Sequence, residues 1–148
     1  MGKLSKGILD KINSELRRTI GCNQWKNKDT VIDWFKAIEN KANCNFVVFD
    51  IEEFYPSITE KLLNDSLNYA ERYVNLSTKE KEEIFHCRRS LLFHNGEPWV
   101  KKSGSKEFDV TMGSNDGAEV CELVGIYLLS LIAESTQCRT LDYTEMMV

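Results

Sequence analysis

The sequence predicts an α+β fold, an antiparallel sheet with packed helices, and three observations predict it. A run of β-formers, Phe46-Val47-Val48-Phe49, ends on Asp50 and is followed by Ile51, Glu52, Glu53 and then Phe54-Tyr55-Pro56. A short apolar run stopped by a turn signal reads as a buried strand. Between Leu91 and Lys102, Leu91-Leu92-Phe93 and Trp99-Val100 flank His94-Asn95-Gly96-Glu97-Pro98, and Asn-Gly is the dipeptide that closes tight β-hairpins. Five other segments read as helices, most of them with apolar residues at helical spacing.

The bulk numbers bound what the chain does. Its 148 residues, 42% of them hydrophobic, suffice for one domain with a core of its own. Charged residues make up 28%, with Lys+Arg 19 against Asp+Glu 23 and a formal net charge of -4. Free-standing nucleic-acid binders are usually basic, so this balance argues against strong independent binding. Cys22, Cys44, Cys87, Cys121 and Cys138 are odd in number and scattered, with no CxxC pair, which reads as reduced thiols rather than a disulfide frame or a zinc site. The start of the chain lacks an apolar signal core, and the longest apolar run, Leu123 to Ala133, is too short to span a bilayer. The expectation is a soluble intracellular protein of the cytoplasm or nucleus.

Taken in order, Leu4, Ile8, Leu9, Ile12, Leu16 and Ile20 trace one face of a first helix, which Gly21 is placed to stop. Lys3, Lys6, Lys11, Arg17 and Arg18 line the opposite face, which reads as solvated before it reads as phosphate-binding. A polar connector, Cys22 to Lys28, precedes a second helix over Asp29 to Asn40, with Asp29 as N-cap and Val31, Trp34, Phe35 and Ile38 as its buried stripe. Trp25 and Trp34 have the chemistry to stack on bases, but core packing is the simpler reading. After the strand, a helix over Thr59 to Val74 turns Leu62, Leu63, Leu67, Ala70 and Tyr73 inward. Ser77 and Glu80 match a capping box for the next helix, which runs to Ser90. His86 and Cys87 are sequence neighbours there and do not face one another on a helix, so they form no nucleophilic pair. Beyond the hairpin, Lys101, Lys102 and Lys106 surround Ser103-Gly104-Ser105, a basic loop suited either to solvent or to a nucleic-acid backbone. Phe108 to Met112 leads into Gly113, and a long helix follows over Asn115 to Ser135.

Two of these stretches carry a resemblance. Phe49 to Ile58, FDIEEFYPSI, resembles the first catalytic motif of reverse transcriptases, a hydrophobic strand ending on a metal-binding Asp. Thr111 to Gly125, TMGSNDGAEVCELVG, resembles the Gly-containing template-positioning motif of the same palm domain. The order and spacing of the two are similar to those in enzymes of retrotransposon-type mobile elements, including Penelope-like ones. The likeness extends from about Lys3 to about Ala133. It implies a partial polymerase palm domain over residues 1–136, with fingers and thumb absent, and a tail over 137–148 outside the family pattern.

By that resemblance Asp50 is the catalytic carboxylate and a metal ligand, and the backbone carbonyl of Ile51 is a second ligand. The family's nucleotidyl transfer uses two Mg²⁺ ions, an RNA or DNA template-primer and a deoxynucleoside triphosphate. Tyr55 then stands under the sugar and excludes a 2′-hydroxyl, and Gly113 lets the backbone approach the base pair. Lys101, Lys102 and Lys106 are the candidate nucleic-acid contacts. The chain departs from the pattern at Met112, where Gln is usual, and at Gly117-Ala118, where many members have Ser-Pro. Glu52 and Glu53 read as surface acids, and Asp116, Glu119 and Glu122 as acids favoured near a helix start.

The family's Tyr-x-Asp-Asp hairpin, which supplies the remaining metal ligands, is missing, and no Asp-Asp occurs in the chain. The expectation is therefore a polymerase fragment inactive as written. The alternatives are a non-catalytic nucleic-acid-binding remnant and, from Tyr55-Pro56-Ser57 alone, a family B DNA polymerase fragment. The tail bears on this. Leu141 to Val148 can be back-translated so that a two-base shift reads Gly-Leu-Tyr-Arg-Asp-Asp-Gly. Met146, Met147 and Val148 force the shifted Asp-Gly, whereas the Tyr, the Arg and the first Asp are permitted by codon choice. A frameshift is the reading this favours, with chance overlap in an ordinary tail as its alternative.

Overall fold

Helix α6, Gly117–Thr136, is apolar around most of its circumference, and two of the other helices pack along it. The computed structural model describes residues 2–21, 23–25, 27–43, 45, 48, 50–89, 92–99, 108–136 and 142–144. Along the chain these form α1 (Gly2–Ile20), β1 (Asn23–Trp25), α2 (Lys28–Ala37), a 3-10 turn (Lys41–Asn43), α3 (Phe54–Ser57), α4 (Glu60–Ala70), α5 (Thr78–Arg88), β2 (Leu92–His94), β3 (Glu97–Trp99), α6 and β4 (Asp142–Thr144). Helices α1 and α4 lie against α6, and α5 closes on α1. The core between them is built from Leu9, Ile12 and Leu16 of α1, Leu63 and Leu67 of α4, Ile84 of α5, and Val120, Leu123, Val124 and Ile126 of α6. Spacing of three and four residues gathers each helix's apolar side chains on one face, and burying those faces together drives assembly.

The helix ends follow local chemistry. Gly21 takes a φ of +66° and its N–H donates to the Arg17 carbonyl at 3.1 Å, ending α1 where only a residue tolerant of the left-handed region fits. Thr59 caps α4 by accepting from Leu62 N–H at 3.1 Å. Ser77 and Glu80 form the expected reciprocal box on α5: Glu80 N–H donates to Ser77 Oγ, and Ser77 N–H donates to Glu80 Oε2 at 2.8 Å. In α2 the cap is Asn27, not Asp29; it pairs with Thr30 in a capping box of its own.

The expected antiparallel palm sheet is corrected. The described residues are mostly helical, and their strands are four three-residue segments in two separate pairs. β2 and β3 form the anticipated hairpin, with Asn95 and Gly96 at φ of 52° and 81°, the sign a type I′ turn requires at both positions. β1 runs parallel to β4, register Gln24 to Tyr143. Of the strand expected over Phe46-Val47-Val48-Phe49, Phe46, Val47 and Phe49 lie outside the described residues. Asn45, Val48, Asp50 and Ile51 are not in a strand, and Val48 is 94% exposed. The physical reason is that a strand needs a ladder partner for its N–H and C=O groups. Among the described residues no strand pairs with this segment, and the chain's apolar surface is buried between helices instead.

The second helix also differs from expectation. None of its residues is buried: Phe35 is 45% exposed and Ile32 47%, while Val31, Trp34 and Ile38 are half-buried. Lys41 stands over the Phe35 ring, its Nζ 5.5 Å from the centroid, and donates to the Ile38 carbonyl at 2.6 Å. The side chain of Trp25 lies outside the described residues.

Candidate functional site

The first motif forms a turn followed by the short helix α3. Asp50 is exposed, and its Oδ1 accepts from the N–H of Ile51 at 2.9 Å, so the carboxylate is held toward its own backbone. Ile51, Glu52 and Glu53 are exposed as well, the last two as surface acids. Glu53 leads into α3 with φ of 49° and no side-chain cap bond, an uncommon backbone region for a residue with a Cβ. Phe54 and Tyr55 point the other way and are half-buried against the helical core. Ile58, just beyond α3, is 3% exposed and anchors the turn.

The second motif is a tight loop entering α6. Ser114 N–H donates to the Thr111 carbonyl at 3.1 Å and Gly117 N–H to the Ser114 carbonyl at 3.3 Å. Gly113 has φ of +83° and is exposed, with open space where a Cβ would stand. Met112 beside it is 63% exposed. The tight packing within the protein is at Gly117. A Cβ there would sit 2.6 Å from Ser114 Oγ, 2.8 Å from the Thr111 carbonyl oxygen and 3.6 Å from Cε1 of Tyr55. Tyr55 of the first motif and Gly117 of the second therefore meet at the start of α6.

Behind this loop lies a polar network that the sequence did not signal. Arg88, 3% exposed at the end of α5, pairs with Asp116, 1% exposed in the loop before α6. The other oxygen of Asp116 accepts from buried Ser5 of α1 at 2.5 Å. Further along the α1–α6 seam Lys6 pairs with Glu119 and Arg17 with Glu122, while Asn13 Nδ2 donates to the Glu119 carbonyl at 2.9 Å. Hydrogen bonding to Glu119, and then its charge, hold the Lys6 ammonium above the ordinary lysine value. The acids expected to favour a helix start by the macrodipole alone are thus the partners that fix α1 and α5 onto α6. No local spacing announces this, because the partners are distant in sequence.

The network changes the view of the basic face. Lys6 and Arg17 are turned to α6 acids, and Arg18 pairs with Glu15 within its own helix, where each holds the other's charged form. Those cations are already matched to carboxylates rather than displayed as a phosphate-binding stripe. Lys101, Lys102 and Lys106 lie outside the described residues.

No family model, curated protein or solved structure matches this chain.

The donor set does not fit a two-ion centre. Mg²⁺ takes octahedral oxygen coordination, usually with carboxylates. Of the first motif's acids Asp50 alone stands at the ligand position the resemblance implies, with the Ile51 carbonyl beside it, while Glu52 and Glu53 lie exposed on the surface. Among the described residues no group of three or more His, Cys, Asp or Glu is gathered to hold a metal. An open cleft lined by His86, Arg88, Arg89, Gly113, Ser114 and Asp116 runs beside the second motif. Its two arginines are committed, Arg88 to Asp116 and Arg89 to Glu60. No helix of the described residues is long and apolar enough to cross a membrane.

Proposed function

We propose that this chain derives from the RNA-directed DNA polymerase of a retrotransposon-type mobile element and does not add nucleotides by itself. The observation that carries the reading is the meeting of Tyr55 with Gly117. The two stretches that resemble polymerase motifs are far apart in sequence, and their contact at one helix start supports a common site. In the parent enzyme's site Tyr55 would discriminate against a ribose 2′-hydroxyl, Gly113 would face the base pair, and Asp50 with the Ile51 carbonyl would supply part of an Mg²⁺ ligand set. The substrates of the parent enzyme are a template-primer and a deoxynucleoside triphosphate. Cys87 and Cys121 form no disulfide, which suits a reducing compartment, the cytoplasm or nucleus.

Inactivity follows from arithmetic on ligands. The two-metal nucleotidyl transfer of the resembled family clamps both the attacking and the leaving oxygen, and Asp50 as the one side-chain ligand does not hold two cations. Primer extension on RNA and DNA templates, with Mg²⁺ or Mn²⁺, should give no incorporation above background. Incorporation that disappears in Asp50→Ala would overturn the inactivity. The ancestry has a separate test in the locus itself. The frame shifted by two bases over Leu141–Val148 should read Tyr-Arg-Asp-Asp, and a locus with no such motif there or in the flanking DNA would sink it.

A further inference from the structure

We draw no further inference here: the strongest candidate, the apolar face of α2 that leaves Ile32 and Phe35 exposed, carries nothing because the described residues do not show what covers it.

Discussion

At Gly117 a side chain has nowhere to go: the Thr111 carbonyl that a Cβ would meet at 2.8 Å is backbone, and it already accepts from Ser114 N–H. Gly117→Ala must therefore shift the loop or the start of α6. Overpacking of this kind costs about 1–3 kcal/mol, which urea unfolding followed by circular dichroism would read. An alanine variant as stable as the parent would show that the loop has room to move. Asp116 gives a larger effect for a different reason. Asp116→Ala removes the carboxylate that pairs with the buried Arg88 guanidinium and leaves Ser5 without its acceptor, and breaking a buried pair from one side costs about 3–5 kcal/mol. Replacing both partners, Arg88→Met with Asp116→Leu, should recover much of that loss, since the charge and its desolvation go together. A double variant no better than Asp116→Ala would contradict the account.

Among the elements, α5 depends most on its first turn, because only Ile84 and Arg88 of its length are buried. Ser77→Ala should cost about 1 kcal/mol, the usual effect of removing an N-cap hydroxyl, readable as a lower unfolding midpoint. The same cap carries a pH dependence. Hydrogen bonds from the Ser77 side chain and backbone hold the Glu80 carboxyl below the ordinary glutamate value of 4.5. A group depressed in the folded state stabilises above its unfolded value, and that contribution is lost as pH falls through the folded value. The parent should therefore lose stability below about pH 4.5 more steeply than Glu80→Gln, and superimposable pH profiles for the two would remove the cap from the argument. The Ser77–Glu80 cap and the stripe of Leu9, Ile12 and Leu16 were legible in the sequence because their partners lie three or four residues away, whereas the Thr59 cap was not singled out and the α2 cap was placed at Asp29 instead of Asn27. The antiparallel palm sheet was misread for the opposite reason. Its β-formers state a local preference, while a sheet needs a second strand that no local pattern supplies. The Arg88–Asp116–Ser5 network was invisible on the same grounds. Asp50, Tyr55 and Gly113 were legible only as members of motifs, and the contact made by Gly117 had no signal beyond the glycine itself.

For the whole molecule, stability is divided between a four-helix core and a helix that contributes little to it. α1, α4, α5 and α6 share the buried side chains from Leu9 to Ile126, and the seam of ion pairs locks α1 onto α6. α2 buries none of its residues. Its ten residues are fewer than the ~12–15 an isolated helix needs to persist in water. Its ends are fixed locally, by the Asn27–Thr30 capping box at one end and by Lys41, bonded to the Lys36 and Ile38 carbonyls, at the other. Opening α2 leaves the core shared by α1, α4, α5 and α6 in place, so its opening free energy should be below that of global unfolding. Native-state hydrogen exchange should show amides of Val31–Ala37 exchanging at low denaturant, while those of Leu9–Leu16 and Val120–Ile126 exchange only with the whole core. Asn27→Ala and Lys41→Ala should speed exchange in α2 and leave the urea midpoint of the core unchanged. If α2 amides were instead as protected as those of α6, the helix would belong to the cooperative core, and its exposed stripe would have to be packed against something in solution.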